Sequence, residues 1–423
     1  MPTWAVVLIT AVATYVVDLV IRLFTSREKK IEHEIEHRYG VADEQFARSI
    51  NGLLPPAITE GNSITPLING DQIFPAMLDA IRSARHTITF ETFIYWSGDI
   101  GQSFADALIE RARAGVKVHV LLDWLGSNKM DDAAIQRMTD AGVEVCRYHP
   151  VRWYALHKFN NRTHRKLLIV DGRVGFTGGV GIADEWSGDA RNPDEWRDSH
   201  FKLEGPAVSQ LQSAFMDNWL KTQNCVLHGP EYFPELPPAG SCRAQVFFSS
   251  PEEGSESARL MYLMSITCAA KSIRLASAYF VPDDLCVQSF VDAAKRGVKI
   301  EIILPGEHID THVVRRASRA RWGPLLEAGV SIYEYQPTMF HCKVMIVDDE
   351  WVSVGSTNFD NRSFRLNDEA NLNILDPDFA RGQATAFERD KERSRQVTLE
   401  EWKHRPLNEK LREHAAALLR WQL

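Results

Sequence analysis

The sequence predicts an α/β protein built from a duplicated domain, its two copies related by a pseudo-twofold axis, behind a membrane-spanning helix. Three observations predict it: an apolar run over residues 4–24, a strand–helix pattern that occurs twice, and one short His/Lys/Asp motif in each copy. With 423 residues the chain has room for roughly two to four domains and a sizeable core without disulfides or metals as staples.

The first element is the run WAVVLITAVATYVVDLVIRLF. As a helix it spans about 31 Å, enough for the hydrocarbon core of a bilayer. Asp18 lies inside it, and an acid costs about 2.5–3.5 kcal/mol at the centre of a span. It stands past the midpoint, where the cost is lower. Arg27, Lys29 and Lys30 come directly after the run, while Met1–Thr3 carries no basic side chain. That bias puts the N-terminus outside and the remainder in the cytoplasm, so the expectation is a single-pass protein of the inner membrane. A signal peptide is the rival reading; it calls for a basic leader and a small-residue cleavage site, and neither is clear. Residues 26–60, charged and then rich in turn formers, read as a stalk after the anchor of residues 1–25.

A repeat organises the rest of the chain. Ile88–Trp96 and Ile273–Val281 are β-rich apolar runs, each succeeded by a helical pattern ending ARAGVKVHVLLD in one half and AKRGVKIEIILP in the other. Gly115 and Gly297 fall where a helix C-cap glycine belongs. AGVEVCRYHP (141–150) then matches AGVSIYEYQP (328–337). Strands alternating with helices in this way predict parallel sheets with right-handed crossovers. The domains are expected at 61–228 and 241–385, joined through the Pro/Gly-rich stretch Gly229–Gly240, with a helical tail at 386–423. Within Val151–Thr163 the first half carries an insertion that the second lacks.

Both halves then reach a shared motif: His164, Lys166 and Asp171 in HRKLLIVD, and His341, Lys343 and Asp348 in HCKVMIVD. One copy is suggestive; two at equivalent positions of a repeat are strong. On a strand, the His and Lys of each motif share a face and the Asp points away. A lysine beside an imidazole suits an anionic group, with charge from one and a nucleophile or proton carrier from the other. These six residues are the candidate catalytic set, the two aspartates within it expected as structural partners. Glycine turns come next, TGGVG and GSTN, in which Gly179, Ser356 and Asn358 are candidate phosphate contacts. Asp198 and Glu369 are candidates for orienting a histidine.

At these residues the sequence resembles the phospholipase D superfamily, and within it the bacterial cardiolipin synthases. The paired HxKx4D motifs carry the first resemblance. ETFIY, LLDWLGS, NNRTHRKLLIVDG, RDSHFKLEGPAV and GSTNFDNRSFRLNDEANLNI carry the second, over roughly residues 60–385. The resemblance implies two α/β/α sandwiches, the phospholipase D fold, with one active site at their interface. It implies metal- and cofactor-independent phosphatidyl transfer through a phosphohistidine, from phosphatidylglycerol and possibly phosphatidylethanolamine. It assigns His164 as nucleophile, His341 as acid and then base, and Lys166, Lys343 and Asn358 as phosphoryl contacts. It pairs Asp198 with His341 and Glu369 with His164, each across the halves. The residues alone do not say which histidine attacks. The family's first-half asparagine is replaced here by Gly181.

Composition bounds the alternatives. A net charge of −8 offers no global field for nucleic acid, which argues against a nuclease. Six cysteines without a CxxC pair read as reduced thiols rather than a disulfide frame or a zinc site. A hydrolase releasing phosphatidic acid uses the same residues with water as acceptor, and is the second reading. Trp153, Tyr154, Phe159, Trp186, Trp196 and Phe340 flank the motifs, as acyl-chain lining or ordinary core. Arg315, Arg316, Arg319 and Arg321 form a basic cluster, read as a solvated helix face ahead of a contact with lipid headgroups. Leucines at 407, 411, 418, 419 and 423 make a helical stripe in the tail, read as docking on the domain ahead of lying on a membrane.

Overall fold

The structure, a computed structural model, describes residues 1–24, 31–150, 160–250, 256–420 and 422–423. The first half contributes β1 (Thr59–Ile68), β2 (Thr87–Thr92), β3 (Lys117–Asp123), β4 (Glu144–Tyr148), β5 (Arg162–Thr163), β6 (Leu167–Val170), β7 (Val174–Gly178) and β8 (Ser199–Glu204). The second contributes β9 (Cys242–Ser249), β10 (Ser272–Ser277), β11 (Phe280–Val281), β12 (Lys299–Pro305), β13 (Ser331–Tyr335), β14 (Lys343–Val347), β15 (Trp351–Gly355), β16 (Phe359–Asp360), β17 (Asn367–Leu375) and β18 (Ser394–Val397).

One continuous sheet runs through both halves. Outward from its middle the order is β1-β8-β7-β6-β2-β3-β4 on one side and β9-β17-β15-β14-β10-β12-β13-β18 on the other. The duplication is therefore visible strand by strand, and its axis falls between β1 and β9. These pair antiparallel through Thr59 with Ala244 and Asn62 with Cys242. The expected parallel sheet holds only for β2-β3-β4 and β10-β12-β13. The motif strands β6 and β14 pair antiparallel with both neighbours. The turn Asp171–Arg173 links β6 to β7 and leaves no room for a crossover helix, so a hairpin is forced.

Side chains alternate along the motif strands between two cores. Leu168 and Val170 of β6 enter the first half's outer core, under helices Asn69–Ser83 and Asp99–Arg113. Leu167 and Ile169 face a central core, with Val344 and Ile346 of β14 doing the same from the other half. Helices Val208–Gln223 and Pro377–Glu392 supply that core with Leu211, Phe215, Trp219, Ala380 and Phe387. Burial on both strand faces explains why LLIV and VMIV are unbroken apolar runs.

The expected stalk is corrected in its second part. Helix Glu44–Leu53 buries Phe46, Ala47 and Ile50, and Phe46 and Ile50 join Val41 and Leu54 in the second half's outer core. Apolar spacing at 46, 47, 50 and 54 is a helical stripe, and its burial outweighs the turn formers around it. The expected boundary at 385 is corrected too, because it falls inside helix Pro377–Glu392. Part of the tail belongs to the second half as β18, which pairs with β13. Helix Leu407–Ala417 then packs against helix His312–Arg319. Residues 3–24 form one helix, with Trp4, Val7 and Leu8 exposed. Among the described residues no helix is both long and apolar enough to cross a membrane.

Candidate active site

The two motifs converge where the halves meet, and each histidine is held by the opposite half. The backbone N–H of His164 donates to Asp368 O and that of His341 to Arg197 O, both at 2.8 Å. In each case the residue after the acceptor is the candidate carboxylate. Nδ1 of His164 lies 3.0 Å from both oxygens of Glu369. Nδ1 of His341 lies 2.7 Å from Oδ2 of Asp198. Both carboxylates are fully buried. With Nδ1 engaged, Nε2 is the ring atom left for chemistry.

Each carboxylate has its own anchor, and the anchors differ. Ser356 donates its hydroxyl to Glu369 Oε2 at 2.5 Å. The indole N–H of Trp186 donates to Asp198 Oδ2 at 2.9 Å, and the Ser199 amide donates to Oδ1 at 2.8 Å. Gly179 occupies the position equivalent to Ser356. A Cβ there would lie 2.2 Å from Asp198 Oδ1, so the shorter acid fills the space that Ser356 has in the other half.

The expected phosphate contacts are corrected on this point. Ser356 is committed to Glu369, and Gly179 makes room for Asp198. Asn358 is buried, with its Oδ1 unpartnered among the described residues. At Gly181, a Cβ would sit 2.9 Å from Ile94 Cβ and 3.1 Å from the Trp186 ring, so these two side chains occupy the place of the missing asparagine.

The lysines fold back onto their own histidines. Lys166 Nζ donates to His164 O and Lys343 Nζ to His341 O, each at 2.7 Å, and Lys343 Nζ also lies 3.1 Å from both ring nitrogens of His341. β6 begins at Leu167 and β14 at Lys343, so the histidines stand ahead of the strands rather than in them. Asp171 and Asp348 are corrected out of the catalytic set. Asp171 accepts the backbone N–H groups of Arg85, His86 and Thr87, and Asp348 those of Ala270, Lys271 and Ser272. They cap the starts of β2 and β10, at the far ends of the motif strands.

Electrostatics here come from burying four cationic groups with two acids. Burial pushes His164 down to about 4, against the pull of Glu369. Burial, reinforced by Lys343, pushes Lys166 down to about 7. Burial lowers Lys343 despite Asp198. Burial and Lys343 lower His341, again despite Asp198. Glu369 and Asp198 are held below the usual carboxylate range: burial opposes this, but the histidine each one faces and the lysines outweigh it. The site thus pairs neutral imidazoles with two lysines balanced by two carboxylates, and its ammonium groups are what would meet a phosphodiester. Among the described residues no cluster of His, Cys, Asp or Glu is arranged to hold a metal ion.

A family model described as "Cardiolipin synthase, PLD-like domain" matches residues 77–196 and 262–391, one block for each half. The chain belongs to this family. A cardiolipin synthase 2 from Bacillus anthracis is 36% identical over 356 residues, covering 84% of this chain and 69% of that protein. A cardiolipin synthase from a Geobacillus species is 37% identical over the same length, covering 84% and 71%. Among solved structures, a phosphatidylserine synthase from Haemophilus influenzae matches with a TM-score of 0.68 at 14% identity, covering 90% of this chain and all of that one. That likeness shows the phospholipase D-like fold, which the chain shares.

Several contributors are not legible in the sequence. Trp186, equally consistent there with groove or core, is buried, holds Asp198, and with Trp196 sets its ring against His341. Glu91 of ETFIY is buried behind the first motif, accepting from Thr163 at 2.5 Å and Asn218 at 2.7 Å, and burial raises it to about 7. The available signal for Glu91 is an acid in an apolar strand. Asp194 and Glu195, close to Asp198 in the chain, take no part in holding His341: Glu195 holds the loop at Asp189, Arg191 and Asn192, and Asp194 is exposed. Phe340 is core, against Tyr335, whereas Trp153, Tyr154 and Phe159 lie outside the described residues. The basic cluster is mostly neutralised, since Arg315 and Arg319 pair with Glu334 and Arg321 with Asp284.

Proposed function

We propose that this chain is a phosphatidyltransferase that makes cardiolipin and glycerol from two phosphatidylglycerols. The observation that carries the reading is the pair of buried histidines, each held through Nδ1 by a carboxylate from the other half, between two buried lysines.

The steps derive from that arrangement. Nε2 of neutral His164 attacks the donor phosphorus, an N–P bond forms, and the P–O bond to glycerol breaks. His341 gives its Nε2 proton to the departing alkoxide. The bound phosphodiester adds negative charge to that of Glu369 and Asp198, which favours protonated His341 at this stage. The hydroxyl of the second lipid then loses its proton to His341 and its oxygen attacks phosphorus, breaking the N–P bond. Glu369 and Asp198 fix the tautomers and stabilise the cations that form. Lys166, Lys343 and Asn358 hold the phosphoryl oxygens. The assignment of His164 as nucleophile rests on the family resemblance.

The same reading includes a single-pass inner-membrane anchor at residues 1–25, with the catalytic halves in the cytoplasm. A long helix at Thr3–Phe24, with Trp4, Val7, Leu8 and Val12 exposed, and the basic residues after it support that. Deleting residues 1–25 should turn a protein that resists extraction by salt into one that high salt strips from membranes.

The test is to incubate the purified full chain with phosphatidylglycerol and identify products by mass spectrometry. Cardiolipin with glycerol is expected. Phosphatidic acid alone would favour hydrolysis, and no turnover of any phospholipid would sink both readings.

A further inference from the structure

We propose that helix Leu407–Ala417 and the turn after it form a second membrane contact, a docking surface for an anionic lipid bilayer. The proposal rests on the lipid substrate above for its purpose, while the surface is read from the helix itself.

After the N-terminal helix, eight large apolar side chains are exposed among the described residues. Four of them belong to this one short segment: Leu407 at 72%, Leu411 at 64%, Leu418 at 81% and Leu419 at 52%. Positions 407, 411 and 418 share one stripe of a helix. The helix docks through its opposite side, where Glu413 and Ala416 are buried.

The charges are sorted between the two sides. Glu413, on the docked face, accepts from Arg319 at 2.9 Å and Arg405 at 2.6 Å, and Glu409 leans to Arg319 at 3.9 Å. Arg412 and His414 are exposed. The helix therefore buries or pairs its acids and offers leucines flanked by bases, the composition that suits an interface with anionic headgroups. A second copy of the chain would gain the apolar contact but would bring the bases against like charge.

The end of the tail ties this surface to the site. Asn361 Nδ2 donates to Arg420 O, the Arg362 amide donates to Leu423 O, and Asn160 Nδ2 donates to Gln422 Oε1. Asn361 and Arg362 come just after Asn358, and Asn160 leads into His164. A bilayer bound at the leucine stripe thus lies beside the segments that carry the phosphate contact and the first motif.

The test places an environment-sensitive fluorophore at Leu411→Cys in the full chain, with Cys225→Ser to remove the exposed native thiol, reconstituted in vesicles. Asp79→Cys, on an exposed helix of the first half, is the control. With half the lipid phosphatidylglycerol and brominated acyl chains present, the label at 411 should be quenched about twofold, and less in zwitterionic vesicles or high salt. The label at 79 should be unaffected. Equal emission with and without brominated lipid would overturn the proposal. Quenching that tracks protein density rather than lipid charge would also overturn it, in favour of self-association. Hydrogen exchange of amides 407–419 in the unmodified chain gives a second reading: slower exchange on anionic vesicles is expected, and no change counts against the proposal. Neither readout uses turnover, so failure of the transferase reading is seen separately.

Discussion

Ser356 holds Glu369 with a 2.5 Å hydrogen bond, and Glu369 in turn holds His164, so the first histidine is oriented from two residues deep in the opposite half. Removing the charge should therefore be felt at the imidazole. Glu369→Gln is expected to slow phosphoenzyme formation by up to about 10⁴-fold, the order of loss when a buried carboxylate no longer fixes a catalytic histidine's tautomer. Ser356→Ala should cost less, about tenfold, because the carboxylate stays. Rapid-quench measurement of the first turnover separates the two; equal rates for Glu369→Gln and the unmodified chain would contradict the role.

Trp186 does for Asp198 what Ser356 does for Glu369. Trp186→Phe keeps an aromatic ring beside His341 but deletes the N–H donor, so steady-state turnover should fall about tenfold with little loss of thermal stability. An unchanged rate would mean that the Ser199 amide alone holds Asp198.

Asp171 and Asp348 are expected to behave as structural residues. Asp171→Ala orphans three backbone N–H groups at the start of β2, at a cost of about 1–3 kcal/mol. A lower Tm is expected, with activity per folded molecule within a few-fold of the original. Loss of activity at full stability would return Asp171 to the catalytic set.

The pH profile has a definite sign. His164 must be neutral to attack, and with its pKa near 4 it is neutral at all pH values above about 5. Acid inhibition through this group should therefore appear only as pH falls towards 4. Lys166 must be charged to attract phosphate, and near 7 it loses that charge as pH rises. Thus kcat/KM, which reports the free enzyme, should decline above about pH 7, while kcat declines later because bound phosphate holds the proton. A kcat/KM that rises steadily between about pH 7 and 9 would contradict this.

Steric closure at the glycines gives a further expectation. Gly181→Asn restores the family's usual residue but drives a side chain into Ile94 and Trp186. It should lower Tm and reduce activity rather than improve it. A gain in turnover with unchanged Tm would show that the phosphate site can still accept the asparagine.

The chemistry of this site is legible in the sequence because duplication marks it twice: His164 and His341, and Lys166 and Lys343, stand at matched positions. Asp198 and Glu369 follow at different spacings and are matched only by the pairing of β8 with β7 and of β17 with β15. Their pairing across the halves comes with the resemblance, not from spacing. The hidden part depends on close approach. Nothing in TGGVG says that Gly179 yields its space to Asp198, or that Ser356 turns from substrate to carboxylate. The second part of the stalk reads wrongly because Pro55, Pro56 and Gly52 signal turns locally, while the burial of Phe46 and Ile50 depends on a core assembled mostly from the second half, far along the chain. The mixed sheet is hidden because β–α alternation describes β2-β3-β4 well and is silent on the short turn at Asp171.

The most direct test is to trap the covalent intermediate with phosphatidylglycerol, digest the protein and locate the phosphohistidine by mass spectrometry. Phosphatidyl-modified His164, still formed in His341→Ala at a reduced rate and absent in His164→Ala, is the predicted result. Modification found on His341 instead, or turnover to cardiolipin that persists in His164→Ala, would contradict the account.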